Sequence, residues 1–359
     1  MISYCRALLT FSSVSKNKFS FLWITVALGT LASAPPAAAQ PFESSGVRAQ
    51  GMGGAFVAVA DDASATWWNP AGLPGSLIVD GVFEWQTTRL NSPADRPIED
   101  ASAAGKGQAA AFAFAFPAAG VSYRRTVQWR LEPANGPDAG SREEGRTVQT
   151  ARSLLTQQFG VTLVQSLGDA VVVGVTPALV TGGVSAVRAA GTVENAFDDA
   201  GAADRDGGVR ADLDVGVLVR AGRVRAGLTA RNLGAPGFTG ADGIEWRLER
   251  RVRAGVAIAS AAGRAGRHDW VVALDADLTR DDDAPGSWRG VSAGVERWWT
   301  ERRLGIRAGL EASTAGETRP AATAGASIAV SSGFWLEAAV TAGDDTARRG
   351  WGLAAHMMF

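Results

Sequence analysis

The stretch DLDVGVLVRAGRVRAGLTAR, Asp212–Arg231, carries the pattern that decides the fold. Leu213, Val215, Val217 and Val219 alternate with Asp212, Asp214, Gly216 and Arg220. After Ala221-Gly222 the alternation resumes: Val224, Ala226, Leu228 and Ala230 against Arg223, Arg225, Thr229 and Arg231. A strand sends successive side chains to opposite faces, so each half is a strand with one apolar and one polar face. Two residues between them are enough only for a hairpin.

The same period continues in both directions. Leu77, Val79, Phe83 and Trp85 oppose Asp80, Glu84 and Gln86. Trp270, Val272, Leu274, Ala276 and Leu278 oppose Asp269, Asp275, Asp277 and Thr279. Trp351, Leu353, Ala355, Met357 and Phe359 end the chain as one apolar row. Fourteen segments of this kind are expected: 77–90, 108–116, 120–131, 149–166, 170–186, 209–220, 223–233, 247–261, 267–280, 288–299, 303–314, 321–330, 334–343 and 350–359.

Connections after the even-numbered segments are short, such as Pro117–Ala119, Leu167–Asp169, Thr300–Arg302 and Ser331–Gly333. Those after the odd-numbered ones are mostly longer and polar, such as Asn91–Gly107, Glu132–Val148 and Val187–Gly208. Short turns at one end and long loops at the other are the asymmetry of a transmembrane barrel. In hydrocarbon each unpaired backbone N–H or C=O costs several kcal/mol, so a sheet survives there only by closing on itself. The expected fold is therefore all-β: a 14-stranded antiparallel transmembrane β-barrel.

Trp129, Trp246, Trp288, Trp298, Trp299 and Trp351 fall near strand ends, where aromatic girdles sit at the water–lipid boundary. Arg125 conflicts with this scheme, because it shares phase with Val121, Tyr123, Val127 and Trp129. It calls for a bulge or for different strand limits. Arg250 and Arg297 share the conflict nearer strand ends, where they can snorkel.

Residues 1–39 read as a signal peptide. Arg6, Lys16 and Lys18 precede the apolar run Phe19–Ala32, and Ala37-Ala38-Ala39 fits a cleavage site before Gln40. The run is shorter than the roughly 20 residues of a spanning helix. The leader holds three cations and no acid, so its removal takes the formal charge from −1 to −4. No basic stripe indicates nucleic acid. The one cysteine, Cys5, lies in the leader, so no disulfide is expected.

Residues 40–76 lack the alternation, whereas 77–359 form the barrel. A fourteen-stranded lumen exceeds what inward side chains can fill, and a compact segment of small residues could close it. Gly51, Gly53 and Gly54 allow tight turns, Asp61 or Asp62 could cap a short helix through Ala63–Ala65, and Asn69-Pro70 would end it. A purely structural turn would use the same residues. The glycines lack the spacing of a dinucleotide or phosphate loop, and Asp61-Asp62 is not a calcium-loop array.

The run GMGGAFVAVADDASATWWNPAGL, Gly51–Leu73, closely resembles the N-terminal hatch of the FadL-type outer-membrane transport proteins and of the related PorV/PorQ-like group. The matching positions are Gly51, Gly53, Gly54, Ala60, Asp61, Asp62, Ala63, Ser64, Asn69, Pro70 and Ala71. RAGLTARNLGAPGF, Arg225–Phe238, is similar to a segment of PorV-like barrels. The resemblance implies a lumen hatch with Asn69-Pro70-Ala71 as its hinge-like part. It also implies passive uptake of hydrophobic small molecules, such as long-chain fatty acids or aromatic hydrocarbons, across the cell outer membrane. Its PorV-like branch implies instead a docking barrel for secretion-system proteins that transports nothing.

Neither enzymatic activity nor a cofactor is expected. Beyond the leader there are two histidines, His268 and His356, without G-x-S-x-G, and too few nitrogen or sulfur donors for zinc. The acidic stretch Glu194–Asp206 reads as a solvated loop, with weak Ca²⁺ binding as the alternative. Asp212, Asp214, Arg223, Arg225, Arg231, Asp275, Asp277, Glu296 and Glu337 are expected to line the lumen. Expected partners are outer-membrane lipid, a hydrophobic small molecule or secretion proteins, and the barrel-insertion machinery through the terminal Phe359.

Overall fold

A computed structural model describes residues 46–75, 79–90, 95–98, 104–133, 142–143, 146–147, 149–261, 268–281, 287–344 and 348–359. The expected leader, 1–39, and the first residues of the expected hatch lie outside them. Fourteen antiparallel strands form a closed barrel: β1 (Asp80–Leu90), β2 (Gly105–Phe116), β3 (Ala119–Pro133), β4 (Gln149–Leu167), β5 (Val171–Arg188), β6 (Asp206–Ala221) and β7 (Val224–Arg231), followed by β8 (Arg251–Ala259), β9 (Trp270–Asp277), β10 (Gly290–Trp299), β11 (Leu304–Ser313), β12 (Ala321–Ser331), β13 (Phe334–Gly343) and β14 (Arg348–Met358). Each pairs with its neighbours in sequence, and β1 closes on β14 from Asp80/Met358 to Leu90/Arg348. All fourteen expected strands are present. The main shift in limits is at β8, which begins at Arg251 rather than 247.

Alternation translates directly into burial. Phe83, Leu213, Leu228, Leu274, Leu310 and Leu353 are exposed on the outer face, while Asp212, Asp214, Thr229, Asp275 and Glu311 are buried inside. A continuous apolar belt of this extent is stable only against lipid. The fold is a transmembrane barrel with a polar interior.

The wall is uneven. β4 and β5 have 19 and 18 residues, whereas β7 and β9 have 8 each. The tall part is covered on both sides. Outside lies helix α3 (Val193–Ala202), whose buried residues Val193, Ala196, Phe197 and Ala200 follow a helical stripe. They pack with Leu131, Ala151, Trp129 and Val187. Inside lies a hairpin of Gly237–Thr239 and Glu245–Arg247, whose Phe238, Trp246 and Leu248 pack on Leu154, Val180 and Val184.

These coverings correct several expectations. The acidic stretch from Glu194 begins as a helix on the barrel wall, not a solvated or chelating loop. Among the described residues no group of three or more His, Cys, Asp or Glu could hold a metal ion. Of the expected girdle, Trp299 and Trp351 are exposed on the outer face, whereas Trp246 is fully buried in the inner hairpin and Trp298 points inward. Trp129 packs against the α3 cluster. Arg125 faces outward with no register shift in either of its ladders. The row above it, Val127 to Leu131, runs into the region covered by α3 rather than by lipid. Arg125 therefore lies at the lower border of that cover, within snorkelling reach of water. Arg297 faces outward beside Trp299, with its guanidinium 5.7 Å from the ring.

Glu194 pins the start of α3 to the rim through Arg89 (2.7 Å) and Lys106 (2.5 Å). The Arg89 guanidinium, and after it the Lys106 ammonium, hold its carboxyl below the ordinary value against partial desolvation. A depressed folded-state pKa gives stability that is present above the unfolded value, about 4.3, and lost as pH falls through the folded one. Glu194→Gln is thus expected to loosen α3 by about 0.5–1 kcal/mol at neutral pH, with the difference from wild type vanishing in strong acid. Proteolytic nicking of residues 189–206 against pH is the measurement.

Candidate functional site

The lumen is closed by residues 46–75, every described side chain of which is buried. This plug is almost devoid of regular structure. It has a five-residue helix α1 (Val47–Gly51), a four-residue helix α2 (Ala65–Trp68) and a 3₁₀ turn, Pro70–Gly75. Between the helices, Gly53 and Gly54 take φ of 66° and 80°, which only glycine adopts without strain. Asn69 is extended (φ −150°) and ends α2 before Pro70, as the sequence predicts. Its amide donates to the Val57 carbonyl (2.9 Å) and to Val217 of the wall (3.2 Å), and its oxygen accepts from Ala71 N–H (3.1 Å). Asn69 therefore staples two arms of the plug to β6. Asp62 does not cap through Ala63–Ala65. It accepts from Ser64 N–H (2.9 Å) at the start of α2, two residues later than expected.

Arg48 is the centre of an ionic latch near the short-turn end. Its Nε and Nη2 form a fork on Glu296 of β10 (2.8 and 2.5 Å). Its Nη1 donates to Asp61 (2.5 Å) and Asp62 (2.7 Å). Glu296 also accepts from Arg307 of β11 (2.8 Å), which donates to Ser327 of β12 (2.6 Å). Ser327 donates in turn to Glu337 of β13 (2.8 Å). His356 of β14 lies 3.9 Å from Glu337 and 3.0 Å from Asp80 of β1. Asp80 accepts Ala63 N–H of the plug (2.9 Å). The chain of contacts runs from the plug, across five strands and the barrel seam, and back to the plug.

The other expected lumen charges divide by role. Asp275 accepts Phe56 and Val57 N–H (2.8 and 2.9 Å), holding the middle of the plug. Asp212 and Asp214 accept from Gly234 and Asn232 N–H (2.9 and 2.8 Å), which folds the β7–β8 connection inward. Arg225 contacts His268 near the short-turn end. Asp277 pairs with Arg253 (2.9 Å), and Arg231 is buried. Arg223 does not line the lumen: it is exposed in the turn beyond the last β6–β7 pair.

On the loop side of the plug is a cavity of about 60 Å³. Gln50, Gly53, Gly54 and Trp68 form its floor. Its walls carry the guanidinium groups of Arg231, Arg251, Arg253 and Arg348, the carboxylates of Asp277 and Glu311, the hydroxyls of Thr229, Ser292, Thr323 and Thr341, and Trp288.

A family model described as the F plasmid transfer operon TraF protein matches residues 96–277, just over half of the sequence. The chain belongs to this family. No curated protein matches the TraF-family chain in sequence. Solved structures match its fold. The toluene transporter TbuX of Ralstonia pickettii aligns over 89% of this chain and 99% of its own, with TM-score 0.55 and 12% identity. The CymD monoaromatic hydrocarbon channel covers 88% and 97%, with TM-score 0.56 and 11% identity. A FadL homologue of Pseudomonas aeruginosa covers 91% and 98%, with TM-score 0.52 and 9% identity. The TraF-family chain shares the barrel fold of these structures. The family match ends at the end of β9 and begins after the plug, so the residues that carry the hatch resemblance lie outside it.

Sequence reasoning on this TraF-family chain missed the plug's seat. Inward positions toward the short-turn end are glycines on several strands. Gly174, Gly216, Gly227, Gly294 and Gly309 lie directly beneath plug atoms, where any Cβ would collide, and Gly120 lies under the side chains of Leu73 and Thr66. At Gly227 it would come within 2.7 Å of the Val57 carbonyl oxygen. The signal was available: a polar face interrupted by glycine on several strands has no cause in the strand itself, since glycine there weakens it.

Proposed function

We propose that the protein is an outer-membrane channel for passive uptake of small molecules, with its short turns in the periplasm and its long loops outside. The resemblance to FadL-type proteins favours hydrophobic cargo, long-chain fatty acids or aromatic hydrocarbons. The observation that carries the reading is a lumen closed by a separate segment seated on a glycine surface. A permanent wall would be filled by the strands' own side chains; a plug lying on bare backbone can shift without dragging the wall. One exit is favoured by an interruption in the wall's backbone pairing, which the Thr162 and Thr176 hydroxyls bridge at 2.8 Å. The β4–β5 ladder omits the pairs Val161/Pro177 and Thr162/Thr176, since proline has no N–H to give. The 3₁₀ turn after Asn69-Pro70 packs nearby through Ala71 on Val172 and Leu218.

A second reading, a docking barrel for secretion-system proteins, is favoured by how full the lumen is. Among the described residues, the space on the loop side of the plug and inner hairpin is lined by polar and charged groups rather than by an apolar corridor. Liposome uptake of a labelled fatty acid separates the two. Wild type is expected to exceed protein-free liposomes, and Asn69→Ala with Pro70→Ala to change the rate by about tenfold through loss of the staple, whose hydrogen bonds are worth about 1–1.5 kcal/mol each. No uptake by either form would leave the docking reading.

A further inference from the structure

We infer that the outer wall just beneath α3 is a binding site for the phosphate group of a membrane lipid, with Arg125 and Arg205 as its cations. Arg125 is exposed on the outer face of β3 and makes no hydrogen bond or ion pair among the described residues. Arg205, just after α3, donates to the Gly201 carbonyl (2.6 Å) and to Ser153 Oγ (3.4 Å). Both acceptors are neutral, and its Nε is buried without a partner, so its charge is not compensated. Asp204 and Asp206 flank it in sequence, but among the described residues neither pairs with it. Asp198 and Asp199 lie on the exposed side of α3, away from the wall.

The strand registers put both arginines on one patch. Arg125 stands opposite Gln157 of β4, and Gln157 opposite Thr181 of β5. Ser153, which Arg205 reaches, is further up β4 on the same face, about 13 Å away at roughly 3.3 Å per residue. Two arginine side chains spanning that distance from its ends leave a gap of phosphate size. Between them β5 presents Gly183, where a Cβ would lie 3.1 Å from Arg205 Cβ; the bare backbone makes room for the Arg205 stem. Partial burial, and after it the positive charge of Arg125, hold the Arg205 guanidinium below its ordinary value. The two like charges thus act on each other with no protein anion to separate them.

Depth in the membrane identifies the ligand. The next outward row below is Phe112, Tyr123, Phe159 and Leu179, each opposite the next. Tyr123 stacks on Phe112 with centroids 5.4 Å apart, and Phe159 and Leu179 are exposed. Such aromatic rows mark the water–lipid boundary. Arg125, Gln157 and Thr181 therefore lie at headgroup depth, where lipids carry phosphate. Arginine forks grip phosphate oxygens through paired N–H bonds, and acyl chains below cover the aromatic row. Free phosphate would leave that row uncovered, and a neutral lipid would leave both cations bare. With the long loops outside, as proposed above, the lipid belongs to the outer leaflet; the binding itself depends on neither that orientation nor transport.

The test is native mass spectrometry of the purified full-length barrel in neutral detergent, titrated with phosphatidic acid. Diacylglycerol with the same chains is its counterpart without phosphate. Phosphatidic acid is expected to bind saturably, and diacylglycerol about tenfold more weakly or less. Arg125→Gln is expected to weaken phosphatidic acid about tenfold, the loss of one charge-assisted contact. Adding Arg205→Gln should erase the preference between the two lipids. Arg297→Gln removes an outward arginine near the short-turn end and is expected to change nothing. Equal binding of the two lipids overturns the inference. So does a loss in Arg297→Gln as large as that in Arg125→Gln, or displacement by equimolar inorganic phosphate. The two-lipid comparison on wild type needs no variant, so misfolding of Arg125→Gln leaves it standing. Lipid binding without liposome uptake of fatty acid would sink the channel reading alone; uptake without the phosphate preference would sink this one alone.

Discussion

Replacing Arg48 with alanine is expected to turn a sealed barrel into a conducting one. Arg48 donates to Glu296, Asp61 and Asp62 at once, and all four side chains are nearly inaccessible. Its loss takes the shared cation from Glu296, Asp61 and Asp62 at the plug–wall boundary, while Arg307 stays bonded to Glu296. Removing one partner from a buried ionic group costs about 3–5 kcal/mol, because the remaining charges are stranded without water. That cost falls only on the seated plug. Once the plug moves, water reaches the acids and the penalty is relieved. The variant should therefore be unseated more than unfolded. Planar-bilayer recordings should show wild type closed and Arg48→Ala opening to steady or flickering conductance. Arg48→Lys keeps the charge but not the fork and should fall between. An Arg48→Ala barrel as silent as wild type would remove the latch from the account.

The second large effect is steric. A Cβ at Gly309 would land within contact distance of the Met52 carbonyl carbon and the Gly53 nitrogen. Both are backbone atoms, with no side-chain end to swing aside. Gly309→Val is expected to cost the seated state about 1–3 kcal/mol by overpacking, at the upper end because the obstacle is main chain. The strand itself should gain from valine. Ala308→Val, next in sequence but facing lipid, is the control, expected within about 0.5 kcal/mol. The comparison is read as protease access to residues 46–75 in intact barrels. Equal protection in both variants would mean that the plug does not rest on the glycines.

The barrel was legible because its cause is local. Period two and the difference between Ala221-Gly222 and Val187–Gly208 are written in consecutive residues, and lipid enforces them along every strand. What covers the strands was not local. Trp246 and Trp129 sit in sequence where girdle residues would sit, but one belongs to a hairpin inside the lumen and the other packs against a helix. Glu194–Asp206 looks solvated because its acids are obvious and its Val193, Ala196, Phe197 and Ala200 stripe is short. Arg125 looked like a register fault because the cover above it was unseen. At the site, Asp61 and Asp62 drew attention from their sequence, but their partner Arg48 was passed over. Its other partner, Glu296, is 248 positions away, and no pattern along the chain joins the two. Arg223 was assigned to the lumen by phase alone, although the turn carries it out of the wall.

Asp80 opens the first stave, and His356 stands on the last, beside it across the seam. One carboxylate receives both the imidazole of the last stave and an amide of the stopper. Closing the ring of staves and filling its bore thus meet at a single acid on the seam, so neither can loosen without disturbing the other.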